Sequence, residues 1–432
     1  MPVALRERAE AFEQDVETAL VDGNGLVLAA LNLDTMRPFA TGYFNDKHVH
    51  RYPGATYEDF ADYMAYENVG MCSGAYLAAM VWKFHATQDP GALARARRTF
   101  SGIRHLYELS GQVEDGFYCK CYGGKLSDQI SSDQYLYTLA GLDRFLPYAT
   151  SAERHAGVKM IDGMVRFWMR RRYAYPYFGR PLDWPLARFP AFPWLAWRHT
   201  GRPEFREEFD RLCALPAVRQ ELPFAVRDWE ETLRAVGARE PNADFERKTG
   251  KRCLWVSPES TESGFLSIEP LLEGNAPDRA LWLDKTRRLY DFGRRGIAED
   301  GYGFGPHLYD PRTGELTEIR EVLQSGEGAD GWRFLHFVGW IRSGMHSAMF
   351  ARAAVAIHAY FPDLGALATA QHILKRLTRD KLRWFVDMDG QQLPPDMRWM
   401  DRVYSGDAVT HWLWAYWEAR ARHGAAALAC PG

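Results

Sequence analysis

Between Glu114 and Tyr135 the chain reads EDGFYCKCYGGKLSDQISSDQY, placing Asp115, Lys120, Asp128 and Asp133 in one short segment. Carboxylates gathered at the mouth of a cavity do not share one acidity. A crowded or desolvated one keeps its proton and can donate it, while a neighbour stays ionised and can activate water. Asp133 opens an unbroken apolar helix, so a plain N-cap at Ser132 or Asp133 competes with the proton donor reading. The second carboxylate is expected at Asp115, Asp128 or Glu67, the last in the run Glu67-Asn68-Val69-Gly70-Met71-Cys72-Ser73. Ser405-Gly406-Asp407 repeats the Ser132-Asp133 arrangement and carries the same two readings.

Cations and flat rings accompany these acids. The run Phe44-Asn-Asp-Lys-His-Val-His-Arg-Tyr52 holds Lys47, His48, His50 and Arg51, a cluster suited to a carboxylate or to sugar hydroxyls. His48 and His50 lack a third and fourth ligand, and Cys119 and Cys121 have no second pair, so no metal and no cofactor are expected. Trp332, Arg333 and His346 precede or open a fifth apolar helix. Trp399, Arg402, Tyr404, Asp407 and His411 do the same for a sixth. Arginine beside tryptophan or tyrosine grips a uronate by bidentate pairing and ring stacking. His346 and His411 read either as hydrogen-bonded core histidines or as the two proton carriers of an epimerase.

A sixfold repeat must position these residues. Each unit is an aromatic-rich apolar helix, a short turn and an amphipathic helix, with first helices beginning near residues 73, 132, 191, 265, 346 and 408. The fourth is expected at 265–272. Ala408-Val-Thr-His-Trp-Leu-Trp-Ala-Tyr-Trp417 has no solvent face and must be buried on all sides. Glu204-Phe-Arg-Glu-Glu-Phe-Asp-Arg-Leu212 has one. Six buried and six half-exposed helices close into two concentric rings. A helix near 7–20 would cap the ring or partner the sixth unit. Asp-Gly pairs at 115–116, 300–301 and 389–390 mark turns on the rim that carries the inner-helix N-termini. The expected fold class is an all-α (α/α)6 toroid with short β-turn connections on the active-site rim. It forms one domain over 1–432, in which 1–59 supplies the N-terminal helix and a rim segment.

The architecture resembles the six-hairpin (α/α)6 glycosidase superfamily over residues 60–422. The stretch SSDQYLYTLAGL resembles the unsaturated glucuronyl and rhamnogalacturonyl hydrolases. That resemblance implies Asp133 as the proton donor and places the family's other aspartate one hairpin earlier, where this chain has Glu67 but no Asp.

With 53 Lys plus Arg against 56 Asp plus Glu, the formal charge of -3 removes the electrostatic case for nucleic acid or an anionic membrane as partner. No apolar run reaches the ~18–20 residues of a membrane span. The 15 Trp, 21 Tyr and 24 Phe suit a core plus a cleft that stacks on sugar rings. The expected partner is an oligosaccharide, and the chain is compatible with a homo-oligomer. The six cysteines show no framework spacing, so free thiols and a cytoplasmic location are expected. The expected function is a glycoside hydrolase on an oligosaccharide that can include a uronic acid. The alternatives are a polysaccharide lyase or sugar epimerase on the same fold, or a carbohydrate-binding protein without catalysis.

Overall fold

The computed structural model describes residues 2–47, 49, 56–177, 179, 181–223, 227–228, 242–255, 258–303, 306–310, 312–318, 341–384, 386–387 and 395–424. The inner helices are Val69–Thr87, Ser132–Phe145, Ala191–Thr200, Pro258–Leu266, Gly344–His358 and Gly406–His423. Each of the first five leads into an outer helix: Pro90–Ser110, Ser151–Arg170, Pro203–Cys213, Arg279–Arg295 and Ala366–Arg376. The N-terminal helix Pro2–Asp15 and its extension Val16–Leu20 serve as the outer partner of the sixth. Phe12 meets Trp412 edge-to-face with centroids 4.9 Å apart, and the Trp417 indole donates to Glu13 at 2.8 Å.

The inner helices are buried as their composition demands; Trp412 and Trp414 both have no exposure. Small residues let them approach closely. A Cβ on Gly74 would stand 2.3 Å from the carbonyl oxygen of Tyr137, so only glycine lets the first helix lie against the second. The third inner helix is short and packs mainly on outer helices, which brings the second and fourth into direct contact. Their link is a hydrogen bond between the Tyr137 hydroxyl and Ser263 Oγ at 3.0 Å.

The fourth inner helix corrects the expected 265–272. It starts at Pro258, ends at Leu266, and is followed by a separate turn of helix, Glu269–Glu273. Its polar first half, Glu259-Ser-Thr-Glu-Ser263, looks like loop by hydropathy. Two of its polar side chains find partners on other helices: Thr261 Oγ1 donates to the Leu289 carbonyl of the outer helix at 3.0 Å, and Ser263 Oγ bonds the Tyr137 hydroxyl at 3.0 Å.

Rim connections hold short strands. Ala30–Asn32 pairs antiparallel with Val403–Ser405, and Ile341–Arg342 with Val386–Asp387. A four-stranded antiparallel sheet runs Arg227–Asp228, Arg252–Trp255, Pro306–Asp310, Glu315–Glu318. Gly116 and Gly301 adopt positive φ, 76° and 87°, as Asp-Gly turns require. The Asp389-Gly390 pair lies outside the described residues. Cys72, Cys119, Cys121 and Cys213 are free thiols; Cys430 and the Cys253 side chain lie outside the described residues. No described helix is long and apolar enough to cross a membrane.

Below the rim a cluster of charge closes the ring. Arg352, with no exposure, pairs with Glu269, with Glu418 at 3.3 Å and with Glu262 at 3.6 Å, and its guanidinium lies 4.1 Å from the Trp414 ring centroid. Arg144 reaches Glu269 at 3.0 Å and Glu273 at 2.7 Å; Arg422 reaches Glu273 at 3.0 Å and Glu418 at 2.7 Å. Burial pushes Glu262 up to about 8, so it holds its proton at neutral pH and the remaining three glutamates balance three arginines. Arg352→Met leaves the three ionised glutamates with only Arg144 and Arg422, so one buried negative charge goes uncompensated. The expected loss is about 3–5 kcal/mol, read from the urea midpoint. A loss below about 1 kcal/mol, the range of a surface pair, would show that the cluster does not hold the ring.

Candidate active site

Three acids occupy the same place on alternate inner helices. Asp133, Glu259 and Asp407 lie in the first turns of the second, fourth and sixth. Four residues after each come Tyr137, Ser263 and His411, and these form one buried layer: Tyr137 bonds Ser263 and meets His411 edge-to-face at 5.2 Å. Residues i and i+4 share a helix face, so the three acids stand on that layer one turn nearer the rim.

On the second and sixth helices a serine, not the acid, does the capping. Ser131 Oγ accepts from the Gln134 amide at 3.3 Å, and Ser405 Oγ accepts from Ala408 at 3.1 Å. The caps are therefore Ser131 and Ser405, each two residues before its acid. Ser257-Pro258-Glu259 has the same spacing in sequence.

A cavity of about 920 Å³ opens at this end of the ring. Glu67, Asn68, Lys120, Asp133, Glu259 and Ser263 line it on the inner-helix side. Tyr177, Trp184, Arg188 and Arg288 contribute from the rim and an outer helix. Arg188 lies over the Trp184 ring at 5.6 Å and donates to Ser132 Oγ at 3.2 Å; the Lys120 ammonium stands 5.7 Å from the Tyr177 centroid. Flat rings beside cations suit sugar faces and carboxylates.

Of the expected site residues, the structure brings Asp133, Glu67 and Lys120 to this cavity. Glu67 pairs with Lys120 and accepts from the Tyr122 hydroxyl at 2.6 Å, so both of its oxygens are engaged. His346 packs beside the cavity wall, with Nε2 3.1 Å from Glu259. Asp407 lies behind Asn68, accepting from Asn68 Nδ2 at 2.8 Å and from the Cys72 thiol at 3.1 Å. It lines a separate recess of about 30 Å³ that shares Glu67 and Asn68 with the main cavity. Burial raises Asp407 to about 7 and lowers His411 to about 4. His411 Nδ1 is bound to the Asp407 carbonyl at 2.8 Å, and the ring is wholly buried, away from the cavity.

The structure sets the other candidates elsewhere. Asp115 is largely exposed and faces Arg170 at 3.8 Å; Asp128 accepts from Gln129 at 2.6 Å and does not line the cavity. Trp399 is buried against Phe44, centroids 5.0 Å apart, in a separate apolar cluster. Arg402 pairs with Asp34, and the Tyr404 hydroxyl donates to Asp15 at 3.1 Å. His48, His50, Arg51, Trp332 and Arg333 lie outside the described residues. Among the described residues no group of His, Cys, Asp and Glu is arranged to hold a metal ion. Sequence reasoning missed Glu259, Tyr177, Trp184 and Arg188. For Glu259 a signal existed, the serine two positions ahead that it shares with Asp133 and Asp407.

No protein-family model matches the sequence, and no curated protein matches it. Solved structures match its fold. An unsaturated glucuronyl hydrolase specific for heparin aligns with TM-score 0.54 at 8% identity, covering 97% of this chain and 96% of that one. A D-mannose isomerase aligns with TM-score 0.51 at 12% identity, covering 96% and 97%. The cellobiose 2-epimerase of Bacillus thermoamylovorans B4167 gives TM-score 0.51 at 11% identity, covering 96% and 99%. The chain thus shares the (α/α)6 toroid fold of these structures. At these identities the likeness is one of fold, which hosts hydrolases, isomerases and epimerases alike.

Asp407 yields a pH prediction. Between about 4, the ordinary carboxyl value, and about 7, the native protein holds a proton that the unfolded chain has lost. Stability therefore falls as pH rises through that window. Asp407→Asn removes this titration, so the variant should gain about 2–3 kcal/mol on wild type between pH 5 and 7. Parallel stability-pH curves for the two proteins would contradict the assignment.

Proposed function

We propose that the protein is a glycoside hydrolase acting on an oligosaccharide, with a uronic acid among its sugars, and that Asp133 is the general acid. The observation that carries this reading is the placement of the Asp133 carboxylate. Ser131 does the capping, and Asp133 lines a polar cavity large enough for more than one sugar ring. Trp184 and Tyr177 offer faces for sugar rings. Arg188, Lys120 and Arg288 supply positive charge for a uronate. The enzymes named above share the fold, and all three have a sugar or polysaccharide in their names.

The rival reading with His346 and His411 as paired proton carriers loses support, because His411 is sealed in the layer beneath the acids and its basicity is depressed. Products distinguish the chemistries. A hydrolase releases new reducing ends, a lyase releases an unsaturated uronide that absorbs in the ultraviolet, and an epimerase leaves chain length unchanged.

Asp133→Asn tests the role of the acid. Asparagine keeps the size but cannot deliver a proton, and acid catalysis by a placed group is worth ~10²–10⁴-fold. On a panel of neutral, uronic and unsaturated oligosaccharides, activity should fall at least about a hundredfold with melting close to wild type. Activity within about threefold of wild type, well short of the loss expected for an acid catalyst, would remove Asp133 from the mechanism.

A further inference from the structure

We propose that Glu259 is the base that activates water opposite Asp133, and that His346 positions it; this inference rests on the hydrolase reading above. The Tyr137–Ser263 hydrogen bond fixes how the second and fourth inner helices are turned toward each other. Asp133 and Glu259 each lie four residues before one partner of that bond, so each shares the helix face that carries it. Both line that cavity.

The surroundings fit the task. The Glu259 side chain is 31% exposed, open enough to meet water, while His346 behind it is 10% exposed and holds it at 3.1 Å from the next inner helix. The other acids fit less well. Glu67 has a lysine on one oxygen and a phenol on the other, so both of its oxygens are already engaged. Asp407 is buried behind Asn68, and Asp115 and Asp128 do not line the cavity.

The reaction closes with one water. The Asp133 carboxyl gives its proton to the glycosidic oxygen as the bond from that oxygen to the anomeric carbon breaks, and the bonding pair leaves with the oxygen. Water adds to the anomeric carbon from the other face and gives its proton to Glu259. Asp133 ends ionised and Glu259 protonated; solvent exchange restores both. Attack from the face opposite the leaving group inverts the anomeric configuration.

The test uses the full-length protein on end-labelled oligosaccharides of glucuronate, of galacturonate and of glucose. Wild type should cleave at least one, and the anomer first seen by NMR should be inverted. Glu259→Gln should lose about 10²–10⁴-fold in kcat with unchanged melting, and Glu259→Asp should recover part of it. His346→Ala should lower kcat more than it raises KM, with His346→Gln, which can still hydrogen-bond, closer to wild type. Cleavage by wild type with Glu259→Gln within about threefold, or with a retained product, overturns the role of Glu259 and leaves the hydrolase reading standing. Wild-type kcat in His346→Ala overturns the positioning role. No cleavage of any panel member by wild type overturns the hydrolase reading, and this inference with it.

Discussion

A guanidinium without water must be surrounded by its counter-charges, and Arg352 is such a group. The carboxylates of Glu269 and Glu418 come to it from the turn after the fourth inner helix and from the sixth, and the protonated Glu262 comes from the fourth. Arg422 and Arg144 extend the cluster to Glu273 and the second inner helix. The inner helices are apolar nearly all round, and apolar packing alone would let them rotate about their axes. Taking either partner from a buried ion pair costs several kcal/mol. This end of the ring therefore fixes rotation as well as closure.

The rotation so fixed also aims the acids at the other end. Arg144 follows Asp133, and Glu418 follows Asp407, by eleven positions, about three helical turns, so each pair lies on one stripe of its helix. On the fourth helix Glu262 follows Glu259 by three positions, again on one face. Between the two ends lies the layer of Tyr137, Ser263 and His411. One end of the inward stripes is neutralised and buried. The other end opens into the cavity, where the inner-helix N-termini bring positive dipole ends that favour anions.

Most of the fold was legible because the signal that reports it, a helix apolar on every side, is strong. The inner helices expected to begin near 132 and 191 are Ser132–Phe145 and Ala191–Thr200. The fourth inner helix was misplaced because hydropathy cannot tell a polar loop from a polar helix face whose partners lie on other helices; Arg352, Leu289 and Tyr137 are all remote in sequence from Glu259–Ser263. The same limit hid Glu259. Asp133 and Glu67 were legible as carboxylates placed just before or at the start of inner helices. Trp399, Arg402 and Tyr404 had equally suggestive types and spacing. Their side chains serve an apolar cluster, a surface ion pair and a bond to the N-terminal helix. Residue type and chain position select a rim; which way the side chain turns on it is set by packing.

A sugar chain is expected to lie in the cavity between the second and fourth inner helices with its scissile oxygen at residue 133. The most direct measurement is a crystal structure of the Asp133→Asn protein with a uronic-acid trisaccharide. The expected density has one ring against Trp184 or Tyr177, a carboxylate at Arg188, Lys120 or Arg288, and a glycosidic oxygen roughly 3 Å from the residue 133 side chain. A trisaccharide bound outside this cavity, or bound within it with residue 133 facing only sugar hydroxyls remote from a linkage, would contradict it.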